Sequence, residues 1–96
     1  MPDFVNKFQQ RHSAIRDVLL KEWDPIGVAR FAEAQNEYDG YVAELDALVF
    51  GKASREEIFG YLWKAETETM ALPGNRQKTE LIAIRLLEMG RNGPNL

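Results

Sequence analysis

The chain has 96 residues, 45 % hydrophobic and 28 % charged, with a formal net charge of −3. That length supports one hydrophobic core, since a chain of this size buries roughly 60 to 65 % of its unfolded surface. No apolar run approaches the ~18 residues of a membrane span, and the N-terminal "MPDFVNKFQQRH" has no apolar signal core; cysteine is absent, which excludes disulfides and thiolate chemistry and fits a reducing cytoplasm.

Asp3 can cap a first helix, in which Phe4, Phe8, Ile15, Val18 and Leu19 recur at three- and four-residue steps, with Val5 and Ala14 beside them. The pair Asp24-Pro25 stops it at about Trp23, because proline disfavours the helical conformation in the residue before it and has no amide hydrogen. Residues 24–35 lack a clean period, yet Ile26, Val28 and Phe31 call for burial and predict an ordered connector. From about Asn36, Tyr38, Tyr41, Val42, Leu45, Leu48 and Val49 share one helical face, and Gly51 is expected to end that helix in a left-handed conformation.

Ser54 and Glu57 form a capping box that starts a third helix, expected to run to about Met70, where "LPGN" breaks it. Asn75 can cap a fourth helix, which Gly90 is expected to end, leaving 91–96 as a frayed tail. No strand-like alternation and no internal repeat is visible. The pattern predicts an all-α fold: one domain over 1–90, a small antiparallel bundle of four helices with the connector across one end.

Charge is uneven along the chain. Residues 1–32 carry five Lys/Arg against four Asp/Glu, residues 33–68 three against nine, and residues 69–96 four against two, giving +1, −6 and +2. The acidic middle repels phosphate backbones and argues against nucleic acid; a basic protein partner is the complementary expectation, and a solvated face that keeps the domain soluble is the plainer one. Glu37, Asp39, Glu44 and Asp46 supply a carboxylate-rich outer face to the second helix, with Asp39 and Asp46 projecting alike.

Two helices carry residues that break the pattern. In the third, with Ile58 at zero, Glu66 falls at about 80°, between Leu62 at about 40° and Trp63 at about 140°. A carboxylate inside an apolar arc must be hydrogen-bonded or paired if that face is buried. Its candidate partners are the Trp23 indole, a hydroxyl such as that of Tyr38, the amides of the Asp24-Pro25 turn, or Arg11 or His12; it is then a staple for the connector or a pocket acid, or else it lies at a shallow edge and reaches out to solvent. In the fourth helix, Leu81 and Ile84 lie near a face shared with Arg85 and Glu88, and the third offers surplus Phe59, Trp63 and Met70; these five make a candidate interface for a partner or for self-association.

The catalytic inventory is thin. His12, the single histidine, can supply at most one metal ligand and reads more simply as a core or boundary residue. Ser13 and Ser54 are the only serines, Ser54 is committed as a cap, and there is no glycine-rich phosphate loop or zinc spacing. No catalytic residue, cofactor or metal is therefore assigned.

The runs "VLLKEWDPIGV" from Val18, "AQNEYDGYV" from Ala34, "YLWKAETETMALPGNR" from Tyr61 and "IAIRLLEM" from Ile82 resemble a family of small uncharacterised bacterial proteins. The resemblance implies an all-helical bundle and marks Glu22, Trp23, Asp24, Pro25, Gly27, Glu37, Tyr38, Asp39, Tyr41 and Glu66 as positions of structural or functional weight. Asn36 departs from the acid expected there, which weakens a cation-binding reading, and Ala71 stands where a glycine is expected. The functional expectation is a cytoplasmic, non-enzymatic interaction module, of adaptor or toxin-immunity type, using an acidic or apolar helical surface. The alternative is a ligand-binding protein or enzyme with a carboxylate pocket near Glu66, Asp24 and Asp39, to which His12 can contribute.

Overall fold

The structure, a computed structural model, describes residues 2–92, with side chains described from Gln9 onward. Among them there is no strand. Helix α1 spans Pro2–Asp17 and passes without a break into a π-helical turn, Val18–Trp23. Asp3 lies inside its first turn instead of capping it, and the side chains of Phe4, Val5 and Phe8 fall outside the described set. The Asp24 amide donates to the Leu19 carbonyl at 2.8 Å, five residues back. A wider turn places more residues on one side, and Val18, Leu19, Leu20 and Trp23 are all buried.

Helix α2 is Val42–Phe50, six residues shorter at its start than its periodicity indicates. Residues 32–34 and 39–41 are 3₁₀ turns, so the connector extends from Asp24 to Tyr41. The helix cannot begin at Asn36 because Tyr38 is drawn out of register: its hydroxyl donates to Asp24 Oδ1 at 2.7 Å and accepts from the Ile26 amide at 3.0 Å. Apolar anchoring of the connector is also weaker than its composition indicates. Val28 packs on the core, but Ile26 and Phe31 are each 43 % exposed.

Gly51 does not take the left-handed position after α2; its φ is −92°, and Lys52 adopts φ 66° instead. The Ala53 amide then reaches back to the Leu48 carbonyl at 2.9 Å, closing the helix end with a lysine where glycine is unstrained. Helix α3, Arg55–Lys64, continues as a second π-helical turn, Ala65–Thr69. The Ser54–Glu57 capping box is complete, with reciprocal bonds of 3.1 and 3.0 Å. Beyond Met70, Ala71 is left-handed at φ 57°, and Gly74 at φ 89° lies against Trp63, where a Cβ would stand 2.6 Å from the indole.

Helix α4 runs Arg76–Asn92 after an Asn75 cap whose Oδ1 accepts from the Lys78 amide at 3.1 Å. It passes through Gly90 without stopping. Glycine is needed there for close approach, since a Cβ would meet the Val49 carbonyl oxygen at 2.4 Å. Of the tail expected over 91–96, Arg91 and Asn92 are helical and 93–96 lie outside the described residues.

Ion pairs Arg11–Asp46 and Arg16–Asp39 run in opposite chain directions, so α1 and α2 are antiparallel. α3 packs antiparallel on α4, and α2 touches both. The core is Ile15, Val18, Leu19, Leu20, Trp23, Tyr38, Val42, Leu45, Val49, Ile58, Leu62, Ala65, Ile82, Ala83, Leu86 and Met89. The result is a four-helix antiparallel bundle with the connector at the end where α1 finishes and α4 begins.

Candidate functional site

Several of the residues expected to carry function, Trp23, Asp24, Tyr38 and Glu66, meet at that end in two hydrogen-bonded knots. The first is built on Asp24. Its left-handed backbone, φ 35°, turns the carboxylate back over the connector, where Oδ1 accepts from the Gly27 and Val28 amides at 3.1 and 2.8 Å and Oδ2 from Ala29 at 3.1 Å. Tyr38 adds a fourth donor. Asp and Asn are the residues that tolerate this backbone while serving nearby amides. Burial raises the Asp24 carboxyl, but the bonds from Tyr38, Val28, Ala29 and Gly27 outweigh it, and the group titrates below its ordinary 3.8. Burial first, and then the bond to Asp24, push the Tyr38 hydroxyl above the usual tyrosine range.

The second knot is built on Glu66, which is 4 % exposed. The Asn75 amide donates to Oε2 at 2.8 Å, the Thr79 hydroxyl donates to Oε1, and the Trp23 indole donates to Thr79 Oγ1 at 3.2 Å. Glu66 is therefore a staple, but for the start of α4 and not for the connector. It meets Trp23 only through Thr79, and it has no bond to Tyr38, to the turn amides, to Arg11 or to His12 in the described set. A carboxylate at a helix N-terminus is favoured by the unpaired amides and by the helix dipole, which explains its tolerance there. Thr79 is the residue that sequence reasoning missed. Its signal was position, since Thr79 precedes Ile82 and Ala83 by three and four residues on the buried face of α4.

Aromatic rings tie the knots together. Trp23, 1 % exposed, lies 5.7 Å from Tyr38 and 6.5 Å from Tyr41, which meets Tyr61 edge-on at 6.4 Å. The Tyr61 hydroxyl donates to Glu44 at 2.9 Å, and burial followed by that bond moves its titration above the usual tyrosine range.

Of the four carboxylates expected on a solvated face, Glu37 and Glu44 are exposed, Asp39 is partly exposed and only Asp46 is buried. Asp46 is buried and takes a bidentate pair from Arg11 at 3.0 and 2.8 Å, with His12 Nε2 3.8 Å from Oδ2. Asp39 takes a bidentate pair from Arg16 at 2.9 and 3.1 Å. The two acids do project alike, as their seven-residue spacing requires, but toward α1. Oppositely charged residues in reversed order on successive helices were the available signal. Glu37 is exposed, and Glu22, also exposed, lies 3.5 Å from Arg85.

The pocket expected around Glu66, Asp24 and Asp39 is split. Asp24 and Glu66 line one shallow depression of about 260 Å³ with Pro25, Lys78 and Thr79, whereas Asp39 lines another with His12, Ser13 and Arg16. Among the described residues no three His, Asp or Glu side chains gather as a metal-ligand set, and no helix is long and apolar enough to cross a membrane.

The candidate interface is uneven. Leu81 is 61 % exposed, Ile84 and Met70 are half-buried, and Phe59 stacks on Trp63 at 5.6 Å with the Arg76 guanidinium 5.0 Å from the Phe59 ring. No family model matches the chain, and no curated protein and no solved structure matches it.

Proposed function

We propose that the protein is a non-enzymatic interaction module that binds another protein through its helical surface. One observation carries this reading: the carboxylates best placed for chemistry, Asp24 and Glu66, are held by donors of their own chain, while Leu81 stands 61 % exposed among charged neighbours. A general acid or base needs a lone pair or proton free to meet a substrate; Asp24 already accepts four hydrogen bonds, and Glu66 is buried with both oxygens bonded within the chain. Apolar surface bordered by charge is the composition of a contact patch.

The acidic face of α2 is a weaker contact patch than its composition indicates, because Asp39 and Asp46 are paired with Arg16 and Arg11, which leaves Glu37 and Glu44 as its exposed acids. A cytoplasmic location, absence of nucleic-acid binding and membership in the small bacterial family with the Trp-Asp-Pro and Glu-Tyr-Asp-x-Tyr segments belong to the same proposal, supported by the lack of cysteine and the acidic balance.

The test is recovery of the tagged chain from the cells that make it, at low and at high salt. A stoichiometric protein partner recovered with the wild type and lost with Leu81→Glu supports the reading. A lone monomer at both salt concentrations overturns it.

A further inference from the structure

A depression lies at the bundle end opposite the connector. It is an open groove of about 720 Å³ between the α2–α3 turn and the last turns of α4. Val49, Ala53 and Leu87 form an apolar floor, and the exposed cations Lys52, Arg55 and Arg91 stand around it. Among the described residues Glu56 is the one acid in the lining, and it is paired with Arg55 at 3.4 Å. A positive rim on an apolar floor is the reverse of what a chain of net charge −3 presents on average.

Helix electrostatics accounts for only part of the rim. Arg91 sits in the last turn of α4, where the dipole favours a cation. Arg55 is the first residue of α3, where the dipole disfavours one. Lys52 holds a left-handed backbone, φ 66°, that glycine adopts without strain. Two residues thus go against local preference, and both face the same groove. Lys52 and Arg91 have no ion-pair partner among the described residues.

We infer that this groove docks an acidic segment of a partner protein, its carboxylates over Lys52, Arg55 and Arg91 and an aliphatic side chain on Val49, Ala53 and Leu87. The inference goes beyond the interaction reading above, because Leu81 lies outside this groove, and it names the chemistry of a partner for this second surface. Charge complementarity selects an acidic occupant, and the apolar floor selects a peptide over a phosphate backbone, which has no aliphatic group to place there.

The experiment is selection of a random peptide library on the intact chain, followed by titration of the enriched peptides against wild type and against Lys52→Glu/Arg91→Glu. Both substituted positions are exposed, and circular dichroism verifies the fold. Enrichment of peptides carrying acids around an aliphatic residue supports the inference. So do binding weakened about tenfold or more in the double variant, weakening by salt, and amide shifts confined to 49–56 and 87–91. Enriched peptides that lack acids, or that bind the double variant equally well, overturn the groove while leaving the interaction reading intact. No enrichment overturns the groove as well, and recovery of a partner from the native cells then decides the broader reading separately. Tighter binding to phosphatidylserine vesicles or to single-stranded oligonucleotide, lost in the double variant, reassigns the groove away from protein and overturns the inference.

Discussion

The two ends of the bundle solve opposite problems. At the connector end, Asp24, Tyr38, Glu66, Thr79 and the Trp23 indole satisfy one another, so that buried polar groups hold irregular backbone in place. At the other end, Lys52, Arg55 and Arg91 surround an open apolar floor, and Lys52 does so from an unfavourable backbone. Buried polar groups left without partners cost free energy, whereas exposed cations cost little and remain available. The first end therefore uses its polar groups for stability, whereas the second leaves its cations open to solvent and to the acidic segment proposed above, and substitutions at the two should behave differently.

The largest effect is expected at the centre of the connector end. Trp23→Ala removes a fully buried indole and frees the Thr79 hydroxyl, and should destabilise by about 3 to 5 kcal/mol in urea unfolding. A loss below about 1 kcal/mol would mean that the aromatic cluster is not what holds this end. Next comes Thr79→Val, which preserves shape but strands the Trp23 N–H and one Glu66 oxygen together. Its expected cost is about 2 to 3 kcal/mol, from two buried groups deprived of a partner at once. If the double variant Thr79→Val/Trp23→Phe is no less stable than Thr79→Val alone, the indole bond is confirmed as the coupling between them.

How much of this was legible in the sequence depended on the kind of interaction. Where one element answers to its own neighbours, as in the Ser54–Glu57 box, the Asn75 cap and the inward face of α3, periodicity and spacing were sufficient. The burial of Glu66 could be read from its helical angle, but its partner could not, because a threonine on an apolar arc carries no charge or size to mark it. The start of α2 was misplaced for a similar reason. Tyr38 fits the helical stripe, yet its hydroxyl is held fourteen residues away by Asp24, and that bond forms only once the connector has folded. Gly90 looked like a stop and is a crossing point, since the closeness of α2 and α4 is a property of the pair. Arg11 was a candidate partner for Glu66, but the antiparallel packing of α1 and α2 sets Asp46 opposite it and Asp39 opposite Arg16.

Acid distinguishes the ends further. The Asp24 carboxyl is lowered in the folded state, so its stabilisation is fully present above the unfolded value near 3.8 and is lost as pH falls through the lower folded value. Asp24→Asn should cost about 1 to 3 kcal/mol at neutral pH, and the difference from wild type should shrink once the pH is carried below 3.8. In a Trp63→Phe background, Trp23 fluorescence, reporting from beside Tyr38, follows the release of the connector. A difference that stays constant to the lowest pH would show that the carboxylate charge is not what organises residues 24–29.

The smallest effects set Lys52 against Ala71. Both occupy left-handed backbone, at φ 66° and 57°, and both follow the end of a helix. Glycine relieves roughly 1 to 2 kcal/mol of steric cost at such a position but adds about 0.5 to 1 kcal/mol of unfolded-state entropy. Ala71→Gly should therefore stabilise by a few tenths to about 1 kcal/mol, read as a rise in Tm without other consequence. Lys52→Gly should raise stability by a similar amount and also weaken whatever acidic segment the groove holds, because it removes a rim charge along with the strain. Stability gained and binding lost in the same variant would identify Lys52 as a residue retained against the preference of its own backbone for the sake of the surface. Equal gains with unchanged binding would make Lys52 no different from Ala71, and the contrast between the two ends would then rest on Arg55 and Arg91 alone.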